Sequence, residues 1–418
     1  MPMGAGTIDA YSSWTTTPGT GTTITYGFRQ SLANYSADGS DITTFTQVSA
    51  SEMSAVETIL SLWSDICGIH FQEVNRGGYT DNASILIGNY KDPSDGAGAF
   101  AFYPGSLATG SSAGDLWLNL SGGVSTNEIS IGSWTFQTIM HELGHAIGLS
   151  HPGDYNAAPG VAITYANNAQ FIQDSNQYSL MSYFAASATS GSAPSDYGGN
   201  VSSPLLFDVY ETQQIYGANL TARTDNTIYG FGSTAGDVYD FGINSAPLLC
   251  IWDAGGIDTL NCSNYSDNET IDLNQGAFSS IGGLQKNITI ALGAVIENAI
   301  SGSGNNSIIG NSGNNTLIGG IGNDCIKGCN GDDIIDCGTG TDSVIYNGIY
   351  SDYSITYVYK NSESQTWQSI SVSGSEGTDT IINAESLRFS DKVYSLNQAP
   401  IFTLFKSNVG AGDEDNQI

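Results

Sequence analysis

The chain has 418 residues, room for two or three domains and a sizeable core. It carries 41 acidic against 10 basic residues, a formal net charge of −31, with 40% hydrophobic residues and 52 glycines. So acidic a surface repels phosphate backbones and anionic headgroups, which excludes nucleic acid and membrane surfaces as partners; it leaves hard cations, or simple adaptation to salt, as its reading, and the apolar content excludes a disordered acidic chain.

Residues 1–22 are rich in Thr, Gly and Ser and lack a charged stretch leading into an apolar one, so a Sec signal peptide is not expected and they are set apart as a short N-terminal (pro-)segment. No apolar run reaches the length of a membrane span. Strand-like runs fall at 23–28, 69–74 and 83–89, and residues 97–102 alternate small and aromatic side chains. Ser49 and Glu52 have the spacing of a capping box. They open a helix in which Met53, Val56, Ile59, Leu60, Trp63, Ile66 and Cys67 recur at helical spacing and which Gly68 ends. Further helices are expected over 134–149 and 205–216, so the first half, 23–218, reads as an α+β domain.

After Ala218 helical patterns stop, and Gly, Asn and Asp rise, which places a domain boundary there and a second domain over 219–396. Within it, alternation at 353–359 and a closing strand pair at 387–396 make residues 346–396 a β extension. Residues 397–418 read as linker and tail. Cys67, Cys250, Cys262, Cys325, Cys329 and Cys337 match no zinc-ribbon or thioredoxin spacing. Incidental thiols are expected, with a disulfide among the last three left open.

The strongest chemical signal is His141-Glu142-Leu-Gly-His145-Ala-Ile-Gly148-Leu-Ser-His151. Residues four apart share a helix face, so His141 and His145 can hold one ion. Gly148 can take the left-handed conformation that stops the helix and brings His151 back as a third nitrogen. Three histidines leave a fourth position for water, and Glu142, one residue round the helix, is placed to take its proton. The motif with its extension is the mark of the metzincins, and Met181, in Ser179-Leu-Met-Ser-Tyr183, supplies the Met-turn expected to follow it. His70, the remaining histidine, reads as a structural residue beside a strand.

The second domain holds a repeat. Five blocks of nine run from 301 to 345, with glycine fourth (304, 313, 322, 331, 340) and an aliphatic residue eighth. The sixth residue is Asn306, Asn315, Asp324, Asp333 or Asp342. This pattern fits a parallel β-roll with calcium held between turns, in which Asp324, Asp333 and Asp342 are better ligands than the two amides. Cys329 stands where a turn glycine is expected.

Together these residues resemble the serralysin family of secreted bacterial metalloproteases, over about residues 24–396. The likeness includes the run from His151 to Asn156, the stretch from Asp115 to Asn119, and Tyr183 two residues after the methionine. The resemblance implies an α+β metzincin catalytic domain followed by an all-β parallel β-roll domain with a C-terminal β extension. It implies one catalytic zinc on His141, His145 and His151, with Tyr183 against the resting metal and helping the tetrahedral intermediate. It also implies that Ala99, Phe100, Ala101 and Phe102 form an edge strand to which an extended peptide adds. Several structural calcium ions follow, with Asp253, Gly255, Gly256 and Asp258, their partners Arg223, Asp225 and Thr227, and Val295 with Glu297 as ligand segments. The family usually has glycine where this chain has Asp225. The function so implied is a secreted zinc metalloendopeptidase, exported through a one-step channel guided by the C-terminal end. Its expected partners are polypeptide substrates, with a proteinaceous inhibitor as a further candidate and the chain itself a monomer. A calcium-binding surface or adhesion module with a relic protease domain is the alternative, and a processing enzyme or toxin acting on one partner is a third.

Overall fold

The computed structural model describes residues 12–33, 42–105, 111–158, 160–189, 200–359 and 367–396. The N-terminal segment is thus described from Ser12 onward, and the linker and tail at 397–418 lie outside the described residues.

The first half is a five-stranded sheet backed by helices. Its strands are β1 (Thr22–Phe28), β2 (Ile69–Glu73), β3 (Ile85–Tyr90), β4 (Ala99–Ala101) and β5 (Leu116–Asn119), in the order β2-β1-β3-β5-β4. All pairings are parallel except β4 with β5, so the edge strand β4 is the one that reverses. Every residue of β3 is buried, Asn89 included, as suits a strand with a neighbour on each side. Helix α1 (Ala50–Ile66) starts at the expected capping box: Glu52 N–H donates to Ser49 Oγ at 3.2 Å, and Ser49 N–H to Glu52 Oε2 at 2.6 Å. Helix α2 spans Trp134–Ala146, three residues shorter than its apolar pattern predicts. Ile147 and Leu149 are buried, but Gly148 has φ +109°, a conformation that ends the helix. A short helix α3 (Tyr165–Asn168) and α4 (Leu206–Tyr216) complete this half. His70 lies within β2, paired with Thr23 and exposed, rather than beside a strand.

The second half is a roll of three-residue strands in two parallel sheets. One runs Ile228–Gly230, Thr259–Asn261, Asn298–Ile300, Thr316–Ile318, Ile334–Asp336 and then into Gly377–Ile382. The other runs Thr270–Asp272, Ser307–Ile309, Cys325–Lys327, Ser343–Ile345 and Ser386–Arg388. Within the repeat, partners in one sheet are two blocks apart, so each block supplies one side of a turn. The central residue of each strand points inward: Leu260, Ile271, Ala299, Ile308, Leu317, Ile326, Ile335, Val344, Ile381 and Leu387 are fully buried.

The expected β extension, 346–396, contains one further turn of the roll. Residues 374–382 (Gly-Ser-Glu-Gly-Thr-Asp-Thr-Ile-Ile) are a sixth nonapeptide: Gly377 has φ +124°, as Gly331 has +126°, and Thr380–Ile382 pair in parallel with Ile334–Asp336. The intervening segment 346–373 breaks the period of nine and hides the block. Within 346–396 the strands added to the roll are antiparallel: Ser354–Tyr359 on Trp367–Gly374, and Val393–Ser395 on Ser386–Arg388. One continuous apolar core runs through both halves. All six cysteines are free thiols, so the disulfide left open among Cys325, Cys329 and Cys337 does not form. Among the described residues no helix is long and apolar enough to cross a membrane.

Candidate active site

Helix α2 carries the first two histidines on one face, and the turn at Gly148 returns the chain so that His151 meets them. His151 Nε2 lies 3.1 Å from both His141 Nε2 and His145 Nε2. The opposite ring nitrogens are anchored to carbonyl oxygens: His141 Nδ1 to Leu180 O at 3.0 Å and His145 Nδ1 to Leu149 O at 2.7 Å. A carbonyl accepts only, so those nitrogens carry the protons and the Nε2 lone pairs converge. Burial pushes His141 down to about 4 and His151 to about 3, and lowers His145 as well. Three neutral lone pairs facing one another repel unless a cation lies between them. Zinc–nitrogen bonds of about 2.0–2.1 Å in tetrahedral geometry put ligand nitrogens about 3.3 Å apart, so the donor set fits zinc. Among the described residues this is the one group of three or more His, Cys, Asp or Glu side chains with ligand atoms so closely gathered.

Glu142 is buried beside the histidines and takes a hydrogen bond from the Ala101 backbone N–H. Burial pushes its carboxyl up to about 8; a cation beside it would favour the ionised form again. Tyr183 is 39% exposed, and its ring centre lies 4.4 Å from that of His151 and 5.8 Å from that of His141. Its hydroxyl, held up to about 12 by burial, is a neutral donor at ordinary pH.

The turn bearing Met181 does two jobs. Its Leu180 carbonyl orients His141, and Met181, fully buried, presses on α2 where Gly144 leaves room: a Cβ there would lie 2.6 Å from Met181 Sδ. The turn is itself anchored by Asp208 in the first turn of α4. That buried carboxylate accepts from Ser179 Oγ and Leu180 N–H, each at 2.7 Å, and from Leu205 N–H at 2.8 Å. Tyr155 stacks on His151 with ring centres 5.4 Å apart, and its hydroxyl donates to Asp174, which also accepts from Ser182. Sequence reading missed Asp208 and Asp174. The signal for Asp208 was an acid three residues after Leu205 at a helix start; nothing local marks Asp174.

The expected substrate strand is β4, at the open edge of the sheet. Ala99 and Ala101 pack toward the main core, whereas Phe100 and Phe102 turn to a separate cluster around Tyr90 and Trp117. Successive side chains alternate across a strand, so the two phenylalanines do not share the face of the two alanines.

In the roll, carboxylates form a ladder in which each backbone N–H at the sixth position donates to the sixth side chain of the next turn. Asn306 donates to Asp324 Oδ1 (2.8 Å), Asp324 to Asp342 Oδ1 (2.7 Å) and, on the other face, Asn315 to Asp333 Oδ1 (2.8 Å). The second oxygen of each of Asp324, Asp333 and Asp342 is buried without a partner. Desolvation raises all three carboxyls, Asp324 to about 6 and Asp333 to about 7. Buried, unpaired anionic oxygens beside turn carbonyls fit calcium.

The upstream segments follow the same plan. Thr227 N–H donates to Asp258 Oδ1 at 2.7 Å, Asp258 N–H to Glu297 Oε2 at 2.7 Å, and Asp258 Oδ2 is buried and unpaired. Asp253 accepts from Gly255 N–H and from the Tyr229 hydroxyl. Gly255 and Gly256 have φ +145° and +142°, and a Cβ on Gly256 would lie 2.7 Å from the Asp225 carbonyl oxygen. The carbonyl of Asp225 therefore lies against the Gly255–Gly256 turn. Arg223 turns its guanidinium away, to Asp65 at 2.7 Å and to the Trp252 carbonyl, leaving only its backbone as a ligand candidate. Val295 is exposed. Glu269, which sequence reading passed over, is buried with an unpaired Oε1 at the equivalent place before Thr270–Asp272.

A family model described as Metallo-peptidase family M12 matches residues 17–192, and one described as Peptidase M10 serralysin C terminal matches residues 218–394. Similar curated proteins include Metallopeptidase AprA of Pseudomonas marginalis, 38% identical over 291 residues, covering 69% of this chain and 60% of that protein. Serralysin C of Dickeya chrysanthemi is 40% identical over 292 residues, covering 68% of this chain and 58% of that protein. Serralysin B of the same organism is 38% identical over 294 residues, with the same coverage of 68% and 58%. The chain therefore spans less than two thirds of the length of these relatives. The two models in tandem, the relatives and the three gathered imidazoles lead to one assignment: the chain belongs to the serralysin family of metzincins.

Proposed function

We propose that the protein is a secreted zinc-dependent endopeptidase acting on polypeptides, with a catalytic domain at 23–218 and a calcium-stabilised roll at 219–396. The observation that carries this is the meeting of three Nε2 lone pairs with a buried carboxylate, Glu142, directly beneath an open sheet edge. Zinc on His141, His145 and His151 would supply Lewis acidity and an acidified water. The chain's own residues do the rest. An extended peptide adds to β4 through main-chain hydrogen bonds, which fixes the scissile carbonyl over the site. Glu142 accepts the proton of the attacking water and passes it to the leaving nitrogen. The Tyr183 hydroxyl donates a hydrogen bond to the oxyanion of the tetrahedral intermediate. In the roll, calcium bound by Asp324, Asp333, Asp342, Asp258 and Glu297 would neutralise the carboxylates and couple folding to the ion.

This set of intact groups favours an enzyme over a calcium-binding surface module, which has no use for Glu142 or Tyr183. The test is casein hydrolysis by zinc-replete protein in calcium, beside Glu142→Gln. The amide cannot take a proton, so turnover should fall by about a thousandfold or more while zinc content stays at one per chain. Unchanged turnover would remove the general-base role; an inactive wild type with full zinc would point to a narrow substrate.

A further inference from the structure

We propose that Asp342, in the fifth regular nonapeptide, and Glu385, outside all five, hold an additional calcium ion at the C-terminal end of the roll. The proposal rests on the calcium reading of the roll and extends it to a residue that no repeat contains.

The argument is one of register. Asp342 N–H donates to Glu385 Oε2 at 2.6 Å, as Asp258 N–H donates to Glu297 Oε2 at 2.7 Å in the segment the family resemblance assigns to calcium. In both pairs the glutamate immediately precedes a roll strand, Ser386–Arg388 in one and Asn298–Ile300 in the other, and each strand pairs in parallel with the strand that follows its aspartate. In both, the aspartate's Oδ2 is buried with no partner; Asp342 is 1% exposed. A buried carboxylate oxygen with no donor beside a second carboxylate calls for a cation. The side-chain ion pairs of the described residues, Arg29 with Asp115 and Arg223 with Asp65, do not reach this end. Carboxylate and carbonyl oxygens in a flexible turn suit calcium better than magnesium, which demands near-octahedral geometry.

On the other face of the roll the last acid is paired within the chain. There Asp379 occupies the sixth position of the last block and accepts from Asp333 N–H at 3.0 Å. Its second oxygen, however, is taken by the Tyr346 hydroxyl at 2.8 Å, and Glu376 takes the Tyr353 hydroxyl at 2.5 Å. Two tyrosines from the inserted segment thus take up Asp379 and Glu376, the acids that follow Asp333 on that face, while Asp333 Oδ2 stays unpaired as Asp342 Oδ2 does; no such tyrosine hydrogen bond is made to Glu385 among the described residues.

The experiment counts calcium per chain by equilibrium dialysis on full-length protein, with zinc content measured alongside. Glu385→Gln keeps an oxygen for Asp342 N–H and should bind one calcium fewer with zinc unchanged; Asp379→Asn should leave the count alone. Asp324→Asn is the control for the roll as a whole and should lower the count. If Asp324→Asn lowers it and Glu385→Gln does not, the additional site is refuted; if neither does, the calcium reading of the roll falls with it. Should Glu385→Gln also lose zinc, Glu385→Asp decides: weakened binding of one ion supports the site, and an unchanged titration overturns it.

Discussion

The two metal-binding regions are built on opposite plans. The zinc site is made of neutral donors, each held by a second group: Leu180 and Leu149 carbonyls fix two imidazoles, Tyr155 stacks on the third, and Asp208 and Asp174 hold the loops that carry them. Its shape is set by hydrophobic packing and by hydrogen bonds among protein groups. The roll is made of acids whose outer oxygens have no partner, stacked turn on turn. There a bound ion would be part of the core. Removing zinc should therefore abolish chemistry and spare the fold, while removing calcium should do the reverse.

The sharpest way to break this comparison is selective chelation. In excess calcium chelator the roll should unfold at a much lower temperature, since each ion held at a hundred times its dissociation constant contributes about 2.7 kcal/mol. A zinc-selective chelator in saturating calcium should remove hydrolysis and leave the thermal midpoint nearly in place. Calorimetry with both chelators measures this; a larger shift from zinc removal would reverse the assignment.

Next in size is Tyr183→Phe. The ring is held by its neighbours and the hydroxyl is not needed for folding, so the variant should keep zinc and its melting temperature. Loss of one oxyanion donor should lower kcat by about a hundredfold or more with little change in KM. An equal loss in KM alone would make Tyr183 a binding residue.

The acids of the roll also predict a pH dependence. Burial holds Asp258, Glu269 and Asp333 up at about 7 and Asp324 at about 6, against values near 4 in the unfolded chain. A carboxyl raised by folding adds stability below its unfolded pKa and loses it as pH rises through the folded one. The calcium-free roll should thus weaken between about pH 4 and pH 7, and calcium, which displaces those protons, should raise the thermal midpoint far more at pH 8 than at pH 5. Equal calcium effects at the two pH values would show that the acids are already paired.

Much of this was legible in the chain because the chemistry of the zinc site lies in one short motif. Helical spacing places His141 and His145, and a glycine marks the turn to His151. The partners that orient them were not legible: two are backbone carbonyls, and Asp174 and Asp208 reach the site only through tertiary contacts. The edge strand was found, but not that Phe100 and Phe102 leave the face shared by Ala99 and Ala101. In the roll, strict period nine revealed five blocks. The sixth, at Gly374, carries the same signature and was hidden only by the inserted segment that breaks the count. Glu269 and Glu385 sit at sixth positions in turns too irregular for any period to expose.

The smallest effect concerns Cys329, which stands at the second place of its block, where Gly302, Gly320 and Gly338 stand in three others and Asn311 in the remaining one. Cys329 has φ +73°, as Gly320 and Gly338 at the same place in neighbouring blocks have +89° and +87°. A side chain in that region costs roughly 1 kcal/mol relative to glycine, partly offset by the greater entropy glycine has in the unfolded chain. Cys329 is a free thiol and only half buried, so little packing is lost on removing it. Cys329→Gly should therefore raise the stability of the calcium-loaded roll by about 0.5 kcal/mol, a shift of a degree or two in its midpoint, with hydrolysis unchanged. A clear loss of stability would mean that the thiol contributes a contact worth more than the backbone strain it imposes.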